Sequence, residues 1–108
     1  MPLEITPREL ARRLENGHPV RLVDVRQAWE NGVARLPDSL LIPLNELAQR
    51  APELPAQPDV PLVIYCHHGI RSLSAVHYLH RLGYHHARSL AGGIDAWACE
   101  VDPTVPRY

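Results

Sequence analysis

The chain has 108 residues, enough for one small domain with a single core, and its formal net charge of −1 gives no bulk attraction to nucleic acid or to an anionic membrane. Two cysteines, Cys66 and Cys99, are too few for a disulfide framework, and no apolar run approaches membrane-spanning length. The Met1-Pro2-Leu3-Glu4 start shows no secretory pattern, so a reducing cytoplasm, where a free thiol persists, is the expected setting.

Leu3-Glu4-Ile5 reads as a short first strand. Thr6-Pro7-Arg8-Glu9 then carries three helix-start signals: a capping threonine, a proline at the first helical position and a glutamate three residues after the cap. Leu10, Ala11 and Leu14 supply an apolar face, and Asn16-Gly17 ends the helix. Val20 to Val25 is apolar and β-branched, a strand. Gln27 to Asn31 makes one or two helical turns that stop near Gly32, and Leu36-Pro37-Asp38 is a turn. Leu40-Leu41-Ile42 is another buried strand, followed by helix from Leu44 to Arg50. Pro52, Pro55, Pro58 and Pro61 exclude a regular helix from the connection Ala51 to Pro61.

Leu62 to Tyr65 is a strand, Leu73 to Leu82 a helix capped by Gly83, and Ala87 to Leu90 a last strand. Gly92-Gly93 opens a short helix through Ile94, Ala96 and Trp97. The tail Asp102 to Tyr108 is expected to be extended and to lie on the surface. Strands alternating with helices imply an α/β fold with a mostly parallel sheet covered on both faces. There is no repeat and no second domain: residues 1–108 form one unit, with a core over 1–98 and an extended tail over 99–108.

Between the strand ending at Tyr65 and the next helix lies Cys66-His67-His68-Gly69-Ile70-Arg71-Ser72. Ligand sites in such sheets lie beyond the carboxyl ends of the strands, where Cys66 stands. The first amides of a helix lack partners within it, and its dipole adds partial positive charge. A thiolate is favoured there, and the thiolate is the nucleophile. Gly69 lets the backbone curl, so that the amides of His67, His68, Gly69, Ile70, Arg71 and Ser72 can ring one sulfur as an anion nest. Arg71 adds a permanent positive charge.

Four motifs, in order, resemble the rhodanese homology domain over essentially the whole chain. Leu22-Val23-Asp24-Val25-Arg26 resembles its DVR signature. Leu36-Pro37 and Leu41-Ile42-Pro43-Leu44 resemble its next stretch. Cys66 to Ser72 is similar to its active loop, and Leu90-Ala91-Gly92-Gly93-Ile94-Asp95-Ala96-Trp97 to its closing element. Trp29-Glu30, Ala34 to Pro37 and the tail Val101 to Tyr108 resemble the rhodanese domain fused to sulfur-carrier adenylyltransferases. Arg35-Leu36-Pro37-Asp38 and Gln27-Ala28 depart from the family's usual residues at those turns.

The resemblance implies a rhodanese-like fold, a five-stranded parallel sheet with helices on both faces. It also implies a thiosulfate sulfurtransferase whose catalytic residue is Cys66. The Cys66 thiolate would attack the outer sulfur of thiosulfate or another persulfide donor, and sulfite would leave. A small thiol, cyanide or a sulfur-carrier protein would then take the sulfur, in two half-reactions. Arg71, His67 and His68 are the expected substrate contacts. Asp24 and Arg26 are expected to brace neighbouring loops. No cofactor and no metal are implied.

The rival readings have their own residues. A sulfur relay fed by a cysteine desulfurase would use the same Cys66. A phosphatase or arsenate reductase needs a loop one residue longer than the four that separate Cys66 from Arg71. A non-enzymatic interaction module would not need the cysteine. His77 and His80 share a helix without an evident third ligand, His85-His86 reads as an exposed turn, and Cys99 as a packed or idle thiol. Trp29 and Trp97 read as core or edge packing.

Overall fold

Alternation along the central strands decides how the layers stack. Leu62, Ile64 and Cys66 join one buried cluster, whereas Val63 and Tyr65 join another. Successive side chains in a strand point to opposite faces, so this strand must be covered on both sides. The computed structural model, which describes residues 3–108, shows how.

Five strands form the sheet: β1 (Glu4–Ile5), β2 (Arg21–Asp24), β3 (Leu40–Leu41), β4 (Leu62–Tyr65) and β5 (Ala87–Leu90). Their order is β1-β5-β4-β2-β3, and every pair is parallel. Five α-helices connect or flank them: α1 (Pro7–Glu15), α2 (Ala28–Val33), α3 (Leu47–Arg50), α4 (Ile70–Arg81) and α5 (Gly93–Glu100). One face buries Leu47 of α3 and Ala75, Val76 and Leu79 of α4 against Val23, Leu62, Ile64 and Ala87. The other buries Leu10 of α1 and Ile94 and Trp97 of α5 against Leu22, Val63, Tyr65 and Leu90. The expected fold class is therefore the observed one. No helix among the described residues is long and apolar enough to cross a membrane.

Local chemistry explains the element ends. The Thr6 hydroxyl accepts the Glu9 amide at 3.1 Å and caps α1. The span Leu44 to Arg50 divides into a 3₁₀ turn, Leu44–Glu46, and α3. The proline-rich connection opens with another 3₁₀ turn, Ala51–Glu53, which tolerates Pro52 because a first-turn nitrogen needs no acceptor. α2 runs past Gly32 to Val33, and α5 continues beyond Trp97 to Glu100. α4 begins at Ile70, three residues before the expected Leu73.

The tail differs most from expectation. It does not stay extended on the surface: Asp102 accepts the Thr104 amide and hydroxyl in a turn. Val101, Val105 and Tyr108 then pack onto the α1/α5 face of the core. The boundary expected at residue 98 falls inside a continuous helix.

Tyr65 spans sheet and turn. Its side chain is fully buried, its hydroxyl accepts the Leu36 amide at 3.2 Å, and it meets the Ser39 hydroxyl at 2.8 Å. Tyr65→Phe leaves a buried amide without its acceptor, so it should destabilise the chain by about 1–3 kcal/mol, read from urea unfolding. An unchanged unfolding midpoint would mean that water replaces the hydroxyl.

Candidate active site

Cys66 leaves the carboxyl end of β4 and is only 1% exposed. Its Sγ accepts the amide of Gly69 at 3.1 Å and that of Ser72 at 3.3 Å. Gly69 is the N-cap of α4 and has no side chain with which to cap it. The sulfur does that work, taking the amide at the third helical position, where an N-cap oxygen would ordinarily bind. An acceptor at this place lies at the positive end of the helix. Among the described residues, the amides of His67, His68, Ile70 and Arg71 make no hydrogen bond to Sγ, so two of the six expected donors reach it directly.

A second helix sets the loop's orientation. The Ile94 amide donates to the Cys66 carbonyl at 2.9 Å, and the Asp95 amide to the His67 carbonyl at 3.1 Å. These are first-turn amides of α5, which need partners outside their own helix. In a trans peptide the C=O and N–H point in opposite directions. Pinning the two carbonyls on α5 therefore turns the amides of His67 and His68 away from it. Gly93 makes this approach possible: it has φ +65°, and a Cβ there would collide with the carbonyls of Cys66 and His67. Gly69 adopts φ +100°, a conformation that side-chain-bearing residues rarely take.

Behind the sulfur lies a short polar chain. The Cys66 thiol meets the Ser72 hydroxyl at 3.3 Å, and Ser72 meets Ser89 of β5 at 2.7 Å. Both serines are fully buried.

Arg71 is placed differently from expectation. Its Nη1 and Nη2 donate to the two carboxylate oxygens of Glu30, at 2.7 and 2.9 Å. Glu30 is 3% exposed and also accepts the Gln27 amide and the Tyr108 hydroxyl, the latter at 2.6 Å. The Arg71 fork holds the Glu30 carboxyl down to about 2, against the effect of burial and with help from Tyr108. The same pairing raises the pKa of Arg71, again against burial.

The two loop histidines also differ from each other. The His67 ring is stacked between His68 and Tyr108, each 3.9 Å away between centroids. Burial, then the neighbouring His68, lowers its pKa, so near neutral pH His67 is an uncharged ring. Its Nε2 is buried without a hydrogen-bond partner among the described residues. His68 is exposed, with Nδ1 3.9 Å from Asp95.

Asp24 and Arg26 form a fully buried pair. Asp24 accepts the Arg26 amide and Nε at 2.9 Å and Nη2 at 2.8 Å. Arg26 continues to the Ala34 carbonyl and, at 2.8 Å, to the Tyr108 hydroxyl. Burial works against the charge of Arg26, but Asp24 and Tyr108 keep its pKa raised. Asn31 of α2 donates to the Asp24 carboxylate at 3.0 Å, so the pair ties β2, α2 and the tail together.

Glu30, Ser89 and Tyr108 were not singled out as site residues from sequence. Glu30 stands three residues into a helix start, where an acidic side chain reaches back to an amide. Ser89 is a polar residue on an inward position of a strand. Tyr108 gives only an aromatic end to a proline-containing tail. Trp29 is 64% exposed and meets Tyr108 edge-on, so it is not core. Trp97 is buried in the core. His80 turns to the Ala87 carbonyl while His77 is exposed, and among the described residues no three His, Cys, Asp or Glu are placed to hold a metal ion. Cys99 is free and exposed near the far end of α5.

A family model described as the rhodanese-like domain matches residues 6–100. A sulfurtransferase of Allochromatium vinosum is 41% identical over 102 residues, covering 94% of each chain. An adenylyltransferase and sulfurtransferase of Zea mays, MOCS3-2, is 36% identical over 109 residues, covering 96% of this chain but only 23% of that protein. Among solved structures, a rhodanese-like domain protein from Staphylococcus aureus superposes with a TM-score of 0.83 at 30% identity, over 100% of this chain and 99% of the other. The human single-domain sulfurtransferase TSTD1 gives 0.80 at 30% identity, over 93% and 98%.

The Glu30 pairing has a pH signature. A carboxyl lowered from 4.5 to about 2 on folding contributes stability that is complete above the unfolded value and is lost as pH falls towards the folded one. Unfolding measured from pH 6 down to pH 2 should show an acid loss that is smaller in Glu30→Gln, by on the order of 3 kcal/mol. Parallel acid limbs would mean that the pair contributes nothing.

Proposed function

This chain belongs to the rhodanese-like family, and we propose that it is a sulfurtransferase in which Cys66 carries sulfane sulfur as a persulfide, with thiosulfate as donor. The observation that carries this reading is the Cys66 sulfur, held by the Gly69 and Ser72 amides at the carboxyl end of the central strand. The similarity to sulfurtransferases over nearly the full length of both chains supports the same reading.

In the first half-reaction the Cys66 thiolate attacks the outer sulfur of thiosulfate. A Cys66 S–S bond forms, the bond between the outer sulfur and the sulfonate breaks, and its electron pair leaves with sulfite. The persulfide keeps one negative charge, now one atom further out. The amides of His67, His68, Ile70 and Arg71, which do not bond to Sγ, are its candidate donors. In the second half-reaction a thiol, cyanide or a sulfur-carrier protein attacks the outer sulfur and regenerates the Cys66 thiolate, giving ping-pong kinetics.

The Ser72–Ser89 chain can donate to the sulfur while it is charged and accept from it while it is protonated, because hydroxyls rotate. Arg71 keeps Nε for a sulfonate while its outer nitrogens hold Glu30. His68, exposed at the rim, is better placed than the half-buried His67 to meet an anion arriving from solvent. Phosphoryl chemistry fits poorly. The loop is a residue short, and the arginine fork that would clamp a phosphate is occupied by a carboxylate.

A second reading has specific support in the similarity to an adenylyltransferase and sulfurtransferase over 96% of this chain. There the same persulfide would be loaded by a desulfurase and passed to a carrier protein. Turnover with thiosulfate compared with a persulfide-bearing desulfurase separates the two.

Treatment with thiosulfate should add the mass of one sulfur to the intact chain, and Cys66→Ala should abolish both that gain and turnover. Retained turnover in Cys66→Ala would refute the assignment. Arg71→Ala should raise KM for thiosulfate by about tenfold or more while changing loading from an uncharged persulfide donor much less. Equal losses with both donors would show that Arg71 serves the loop and not the sulfonate.

A further inference from the structure

Tyr108 belongs to the site although 42 positions separate it from Cys66 in the sequence. Its hydroxyl lies between two ion pairs. It donates to the Glu30 carboxylate at 2.6 Å and accepts from the Arg26 guanidinium at 2.8 Å. Each pair serves a different part of the site: Arg26 is locked to Asp24 at the end of β2, and Glu30 holds Arg71 on α4. The phenol joins them in one line, Asp24–Arg26–Tyr108–Glu30–Arg71. Its ring has a second contact. It lies against the His67 ring at 3.9 Å and 8° between planes, while Trp29 meets its edge at 5.9 Å.

We propose that Tyr108 is a positioning residue of the sulfur site, its hydroxyl holding Glu30 in register with Arg71 and its ring holding His67 flat against the loop. The kinetic half rests on the sulfur-transfer reading; the structural half does not. The physical reason for each half is distinct. A carboxylate that accepts from the Gln27 amide, the Arg71 fork and the phenol has its oxygens committed, so it cannot swing and take Arg71 with it. The hydroxyl's position is fixed in turn by Arg26, whose Nε and Nη2 are held by Asp24 and the Ala34 carbonyl. The ring excludes water from one face of His67 as His68 does from the other.

Burial and the phenol's own bond to Glu30 push the Tyr108 hydroxyl up to about 12, so it stays a donor throughout the neutral range. The groups that face His67 are His68 on its own loop, Asp95 on α5, Glu30 on α2, Arg71 on α4 and Tyr108 itself. Removing the ring reopens the imidazole to water, and its titration midpoint should rise towards the ordinary histidine value.

Two substitutions in the full chain separate the halves. Tyr108→Phe keeps the stack and removes the hydroxyl. It should raise KM for thiosulfate about fivefold, more than it lowers kcat, and leave the His67 titration followed by NMR in place. In a Glu30→Gln background the same change should have little further effect, because the phenol acts through that carboxylate. Tyr108→Ala should reproduce the KM rise and also raise the His67 midpoint, with His67→Gln assigning the signal. Equal effects of Tyr108→Phe in both backgrounds, or a His67 midpoint unmoved in Tyr108→Ala, would overturn the proposal. A protein inactive towards every sulfur donor, but with the His67 midpoint raised by Tyr108→Ala, would overturn the sulfur-transfer reading and uphold the structural half.

Discussion

The attachment of the Cys66 and His67 carbonyls to the first turn of α5 is the constraint on which the rest of the site depends. It joins two needs that would otherwise each cost free energy. The α5 amides need acceptors, and the loop carbonyls need donors once the loop is buried. Satisfying both with one contact dictates the plane of each peptide, and the opposite edge of each plane then faces away from α5. The contact works only because Gly93 brings no Cβ into the gap. The same loop then passes through Gly69 into α4, whose open end closes on the sulfur. Two helix N-termini thus organise one strand end, one holding the backbone and the other meeting the Cys66 sulfur.

The buried charges form a second framework. Burying an ion pair such as Asp24–Arg26 is no guarantee of net stability, because desolvation offsets the attraction. What such a pair supplies is geometry. Arg26 has a fixed fork, and its donors are distributed over β2, the turn after α2 and the tail. Loops that a small domain would otherwise leave mobile are thereby referenced to the central sheet, and the position of Arg71 follows from that reference through Glu30.

Much of this was legible in the chain itself. β2 and β4 are runs of apolar and β-branched residues bounded by turn signals, and their parallel pairing follows from the helices between them. The cysteine was legible as a site residue from its place at a strand end before a glycine. The start of α4 was read late for a physical reason: its capping atom is a sulfur three residues before the N-cap, a donor–acceptor pairing that no local cap pattern records. Glu30 and Tyr108 were missed as site residues for another. Their contacts lie 41, 78 and 82 positions apart in the chain, so local spacing carries no trace of them. The stacking of His67 was invisible for the same cause, since its partner arrives from the tail. Where contacts follow from neighbours in sequence they could be read from the chain; where they follow from closure of the fold they could not.

Three arginines around the site are answered by acidic side chains of the same molecule: Arg26 by Asp24, Arg71 by Glu30, Arg107 by Asp95. Little of the field of these three guanidinium groups is left uncompensated to reach into solvent. These three side chains therefore do little to funnel small anions towards Cys66, and added electrolyte has little of their long-range pull to screen. What these paired arginines can still offer a visitor is felt only at touching distance, through shape and hydrogen bonding.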